Sequence, residues 1–281
     1  MAALLALVSA VGYGISDFSG GLASRRAPAI AIVLVSNSLT LVIALFAVAL
    51  LPGSVYHLGD VSWGLAAGAV GVVGVILLYR GLAIGPMSVV APLTAVLSAI
   101  VPVVVGVLRG ERPGAAALCG VVLALPAMVL IGRESDALVA APVSRGALLT
   151  ALAAGLSFGG FYVLLAQTGS DGGAWPLVGQ RAASVAILLG LTGVAVRRGT
   201  PALPRGRTLG LAIVAGITDF VANLTYVLAT HRGLLALVAV LSSLYPAATL
   251  VLARAVLGER LARGQLGGLV LAAVAVALIA A

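Results

Sequence analysis

The chain has 281 residues, 62% of them hydrophobic and only 9% charged, with a formal net charge of +8. So few charges cannot cover a water-soluble domain of this size, and with a mean hydropathy of +1.23 the composition is that of a polytopic membrane protein. All sixteen basic residues are arginines, mostly in short loops, which reads as orientation in a bilayer and not as a nucleic-acid surface.

An apolar run opens the chain without a basic leader and carries Asp17 ahead of Arg25 and Arg26, so a first spanning helix is expected there and not a cleaved signal peptide. Apolar runs long enough to cross ~30 Å of hydrocarbon follow at short intervals. Spans are expected near residues 3–22, 29–51, 61–82, 86–108, 115–132, 146–167, 175–196, 208–229, 234–256 and 264–281. The fold class is therefore all-α and integral to the membrane, with ten transmembrane helices.

In the first span Tyr13 and Asp17 stand four apart, with Ser9 and Gly20 on the same side. The third span carries Gly64, Gly68, Gly71 and Gly74, a smooth stripe that either packs closely on a neighbour or walls a substrate path. Pro92 and Pro102 in the fourth span and Pro246 in the ninth should bend those helices toward a central cavity, where freed carbonyls can be received. The single cysteine, Cys119, lies in the apolar fifth span, so no disulfide framework or thiol metal site is expected. The polar segment 133–145, with Glu134, Asp136 and Pro142, reads as a linker between a unit over 1–132 and a second over 146–281.

Polar residues inside the later spans carry most of the functional signal. Arg181, beside Gln180 in the seventh span, is the natural countercharge for Asp17, Asp219 or a substrate carboxylate. Asp219 lies at the centre of the eighth span, with Asn223 and Tyr226 four and seven residues on, along one helical face. A carboxylate at that depth must face protein or water and not lipid. An aspartate left unpaired there is a candidate proton carrier. A structural ion pair is the plainer alternative.

The chain repeats itself. Gly110-Glu111-Arg112 recurs as Gly258-Glu259-Arg260, 148 residues on. At that offset Ala67-Gly68 falls on Ala215-Gly216, Gly120 on Gly268 and Leu130-Ile131 on Leu278-Ile279. Two sets of five spans follow, and because five is odd the second set enters the membrane inverted, with a substrate site expected where the sets meet. Glu111 and Glu259 read as caps for the helix that follows each. Loops after odd-numbered spans hold ten arginines, among them Arg25, Arg26, Arg205, Arg207 and Arg263, against Arg109, Arg112 and Arg232 on the other face. That count puts the termini outside.

Tyr226, Leu228-Ala229, Leu241, Tyr245-Pro246 and Leu257-Gly258-Glu259-Arg260 together resemble the EamA-type repeat of the drug/metabolite transporter superfamily. The first copy matches it less well: Tyr79 stands one register off, and Ser98 where the second copy has Pro246. The resemblance implies ten helices, an inverted repeat, transport of small metabolites such as amino acids, sugars or drugs, and cytoplasmic termini, against the arginine count.

No catalytic constellation stands out. There is no Gly-x-Ser-x-Gly elbow, His57 and His231 fall in loops, and without lysine no Walker loop is possible. No enzyme activity, cofactor or metal is expected. The expected function is secondary transport of a small organic solute, with export as its direction and protons as a coupling partner, in the plasma (inner) membrane. An uncoupled facilitator or a channel is the alternative. The cavity is expected between spans 1, 3, 4, 6, 8 and 9, with Asp17, Tyr79, Arg181, Asp219, Asn223, Tyr226 and Tyr245 as its binding residues.

Overall fold

A computed structural model describes residues 1–50, 54–132, 144–197, 204–258 and 260–281. The linker acids Glu134 and Asp136 and the motif residue Glu259 lie outside the described residues. Eleven helices appear among those described: α1 (Ala2–Ser24), α2 (Ala29–Leu50), α3 (Leu58–Ile84), α4 (Met87–Leu108), α5 (Ala115–Gly132), α6 (Arg145–Leu165), α7 (Trp175–Arg197), α8 (Gly206–Thr230), α9 (Leu235–Ser242), α10 (Tyr245–Leu257) and α11 (Arg263–Ala280).

They make ten spans, because α9 and α10 are two pieces of one. Sequence reasoning expects a single bent helix over 234–256. The chain instead breaks at Ser243-Leu244, two residues ahead of Pro246, whose missing N–H removes the donor for the Ser242 carbonyl. Among the described residues nine spans are long and apolar enough to cross a membrane, with α9 and α10 counted together. The tenth is α7, which carries Gln180 and Arg181.

Packing shows the repeat. Exchanging α1 with α6, α2 with α7, α3 with α8, α4 with α9–α10 and α5 with α11 carries the packed pairs onto one another. The α1·α8 pair becomes α6·α3, α3·α7 becomes α8·α2, and α4·α6 becomes α9–α10·α1, while α5·α11, α2·α7 and α4·α9 map onto themselves. With five crossings in each set, the two run through the membrane in opposite senses. The repeated glycines have a local reason too. Gly110 follows α4 at φ +90° and Gly258 follows α10 at φ +71°, left-handed conformations that glycine adopts without steric cost.

The stripe on α3 is a packing surface, not an open wall. Gly64 and Gly68 press on the α7 backbone at Pro176 and Gln180, and Gly71 and Gly74 on Phe161 and Phe158 of α6.

The exchange is broken in one respect. Positions toward the face of Arg109, Arg112 and Arg232 are closed: Leu165 is 0% and Val227 1% exposed, and Ser98, Ala99, Pro102 and Gly106 are buried. Their equivalents toward the arginine-rich face are less buried. Asp17 is exposed, Tyr79 is 43% exposed, and no residue of α10 is buried. Both sets of positions are related by the same 148-residue offset.

Candidate functional site

The polar centre is built on α8. Asp219, Asn223 and Tyr226 share one helical face, and the Asn223 amide folds back, its Nδ2 donating to the Asp219 backbone oxygen at 2.7 Å and to Oδ2 at 3.2 Å. Arg181 reaches across from α7. Its Nη2 pairs with Asp219 Oδ2, and its Nη1 donates to Asn37 Oδ1 of α2 at 2.6 Å. The guanidinium side chain is 6% exposed and the Asp219 side chain 29%, so the cation is sealed in while the carboxylate keeps an open edge. A charge at this depth persists because its opposite lies beside it.

Asn223 also ties the two sets of helices together. Its Oδ1 accepts from Tyr13 Oη of α1 and from Gln180 Nε2 of α7, each at 3.1 Å. Around it four tyrosines from four helices meet edge to face or tilted. Tyr13 lies 6.1 Å from Tyr162 and 6.2 Å from Tyr245 between ring centroids, and Tyr162 lies 4.7 Å from Tyr226. Tyr226 has no exposed surface, and its hydroxyl donates to the Tyr162 backbone oxygen at 3.1 Å.

Asp17 stands apart from this network. One turn beyond Tyr13, it continues the stripe of Ala6 and Tyr13, both buried, and not the opposite stripe of Leu4, Val8 and Val11, which faces outward. Yet it is exposed, and among the described residues it makes no hydrogen bond or ion pair.

Of the seven expected residues, Arg181, Asp219 and Asn223 form one bonded cluster and Tyr226 lies directly behind it. Tyr245 packs edge to face on Tyr13, while Asp17 and Tyr79 are exposed and not bonded to the cluster. Sequence reasoning missed Asn37 and Tyr162. Asn37, an amide within the apolar run of α2, carries the same signal of an interior polar group that marks Asn223. Tyr162 carries no such signal, because an aromatic in an apolar span is ordinary.

The closed face is held by bonds between the two units. Both carboxylate oxygens of Glu111 accept from the first amides of α9, Leu235 N at 2.7 Å and Ala236 N at 2.9 Å. Glu111 thus caps a helix of the other unit and not the α5 that follows it, a correction to the sequence reading. Nearby, His57 Nε2 lies 3.0 Å from Asp171 Oδ2, Val55 N donates to the Asp171 backbone oxygen at 2.9 Å, and Gly169 N donates to Asp60 Oδ1 at 2.7 Å. The hydrogen bond from His57 holds the Asp171 carboxyl below its usual range. Of the two loop histidines, His57 is thus a surface residue in a cross-unit bond, while His231 bonds the Thr168 carbonyl at 2.8 Å.

Ten spans in two interlocked sets, with a charged cluster enclosed at membrane depth, define a multi-pass membrane protein of the transporter type. The chain belongs to the EamA-like transporter family, whose model matches it twice, over residues 1–133 and 145–281. Among 24 solved chains that match is one described only as a crystal structure of a protein, at TM-score 0.76 and 16% identity, covering 99% of this chain and 95% of its own. That likeness extends to the fold alone. No curated protein matches the sequence.

Proposed function

We propose that this membrane transporter is a secondary exporter of small organic metabolites in the plasma membrane, working by alternating access between units spanning 1–132 and 146–281. One observation carries the reading. Asp17 and Tyr79 are exposed toward one face while Leu165 and Val227, their equivalents under the repeat, are buried toward the other. Exchanging the roles of the two units would open the second face and close the first, with no new fold required. Asp17, Tyr79 and Tyr245 meet the substrate, Asp219, Asn223 and Arg181 form the wall behind them, and Tyr226 backs the tyrosine cluster. Asp17 is also the group that exchanges its ligand for a proton.

The test is flux in proteoliposomes. Saturable uptake that accelerates when unlabelled substrate is present inside marks a carrier, and flux without such counterflow marks a channel. An imposed pH gradient should drive uptake in the parent protein but not in Asp17→Asn. Counterflow indifferent to the gradient in both would leave an uncoupled facilitator.

A further inference from the structure

The connections between α2 and α3 and between α6 and α7 meet on the closed face, and they bring together two aspartates that the transport reading does not use. Asp60, in the first turn of α3, is 5% exposed. Its Oδ1 accepts from Gly169 N at 2.7 Å, while its Oδ2 is buried with no hydrogen-bond partner. Asp171, from the facing loop, has Oδ2 on His57 at 3.0 Å and Oδ1 toward Gly169. A methyl group on Gly169 would have three carboxylate oxygens as its nearest neighbours outside its own stretch of chain, Asp171 Oδ1 at 3.0 Å and both oxygens of Asp60 at 3.5 Å. A methyl group on Gly172 would lie closer still to Asp60 Oδ2. Glycine at both positions is what leaves these oxygens uncovered. No protein cation answers Asp60. Among the described residues it has no ion pair: His57 answers Asp171 alone, His231 is bound to the Thr168 carbonyl at 2.8 Å, and Arg232 turns back on the Leu228 carbonyl at 3.3 Å. The N-terminus of α3 favours an acid in its first turn, but it gives Asp60 Oδ2 no donor.

We propose that Asp60 and Asp171 hold a hard divalent cation, calcium, between their carboxylates beside Gly169, with water completing its shell. A buried carboxylate oxygen without a donor calls for an ion or a water, and two carboxylates converging on one place favour a positive ion there. Ligands that are all oxygen select a hard cation, and calcium accepts carboxylates and waters in irregular arrangements where magnesium demands a regular octahedron. The Asp171 side chain is 59% exposed, so the ion and its waters reach the site from solution. The spacing of the two aspartates along the chain announces no such site; the docking of the two loops makes it. One carboxylate comes from each set of five helices, so the ion ties the sets together on the closed face. The site stands on these contacts and does not depend on the transport reading.

The test is the unfolding midpoint of the full chain in detergent, freed of metal by a chelator and then titrated with calcium chloride at constant ionic strength. Calcium should raise the midpoint saturably, and by more than magnesium does at the same concentration. Asp60→Asn and Asp171→Asn should each lose most of that shift. Gly169→Ala should lose it too, although it keeps both carboxylates, because its methyl group fills the space before them. Ser170→Ala, in the same loop, should keep it. The midpoint of each variant without calcium shows that it is folded, and if Asp60→Asn does not fold, Asp171→Asn decides from its exposed position. A parent midpoint indifferent to calcium would overturn the proposal. So would a magnesium shift as large as that of calcium, or a calcium shift kept in full by folded Asp171→Asn.

Discussion

Arg181 and Asp219 are 38 residues apart in sequence and bonded in space. Removing one partner leaves the other charge uncompensated within the membrane, which in buried pairs costs 3–5 kcal/mol. With Asp219 29% exposed, Arg181→Ala should cost about 3 kcal/mol, at the low end of that range. Thermal unfolding in detergent checks this. Pairing Arg181→Leu with Asp219→Leu should recover much of the loss, because the desolvation of both charges goes with them. This cluster was legible in the sequence because a charge or an amide in an apolar span has few places to be. Which aspartate Arg181 would choose was not legible, since Asp17 and Asp219 both lie at membrane depth. Only the tertiary arrangement, with Asn37 and Asn223 holding the guanidinium and carboxylate in line, decides it.

Element boundaries were readable from apolar run lengths, and contacts between elements were not. The α3 glycines could have faced a path or a neighbour, and they face α7 and α6. A methyl group on Gly68 would sit 3.0 Å from the Gln180 Cα and closer still to its carbonyl. Gly68→Ala should therefore force α3 and α7 apart and cost about 1–3 kcal/mol. Gly190→Ala on α7, which meets nothing within 4 Å, should change the unfolding midpoint little or raise it. Equal effects at both sites would show that the stripe does not set the helix spacing. The break between α9 and α10 was half visible: Pro246 announces a bend, but a full interruption also needs Ser243 and Leu244 to leave the helix. Glu111 was misread for a related reason. Its sequence neighbour α5 is nearer along the chain, while the free amides of α9 are nearer in space.

At the scale of the whole molecule, the repeat fixed the plan of two inverted sets from a handful of matched residues. Nothing in it could say which face stands open. Cysteine labelling can, on a background carrying Cys119→Ala. Tyr79→Cys should react with a membrane-impermeant maleimide added at the arginine-rich face, and Val227→Cys should resist it from either side. Running the labelling on intact cells and on inverted vesicles also tells which face is cytoplasmic, where the arginine count and the family expectation disagree. Equal reactivity at both positions would mean that the asymmetry between Tyr79 and Val227 is not kept in the membrane.

Asp17 occupies the position whose repeat equivalent, Leu165, is wholly enclosed. Switching faces would carry Asp17 into such surroundings, and burying an uncompensated carboxylate costs several kcal/mol. In the proposed alternating-access cycle, an unloaded carrier with Asp17 ionised would therefore have no easy return stroke. In that cycle Asp17 would have to be neutralised, by a proton for instance, before crossing. The toll falls on the empty cycle alone, so one-for-one exchange should outrun net movement, and leakage should be suppressed by a single side chain and not by a separate gate.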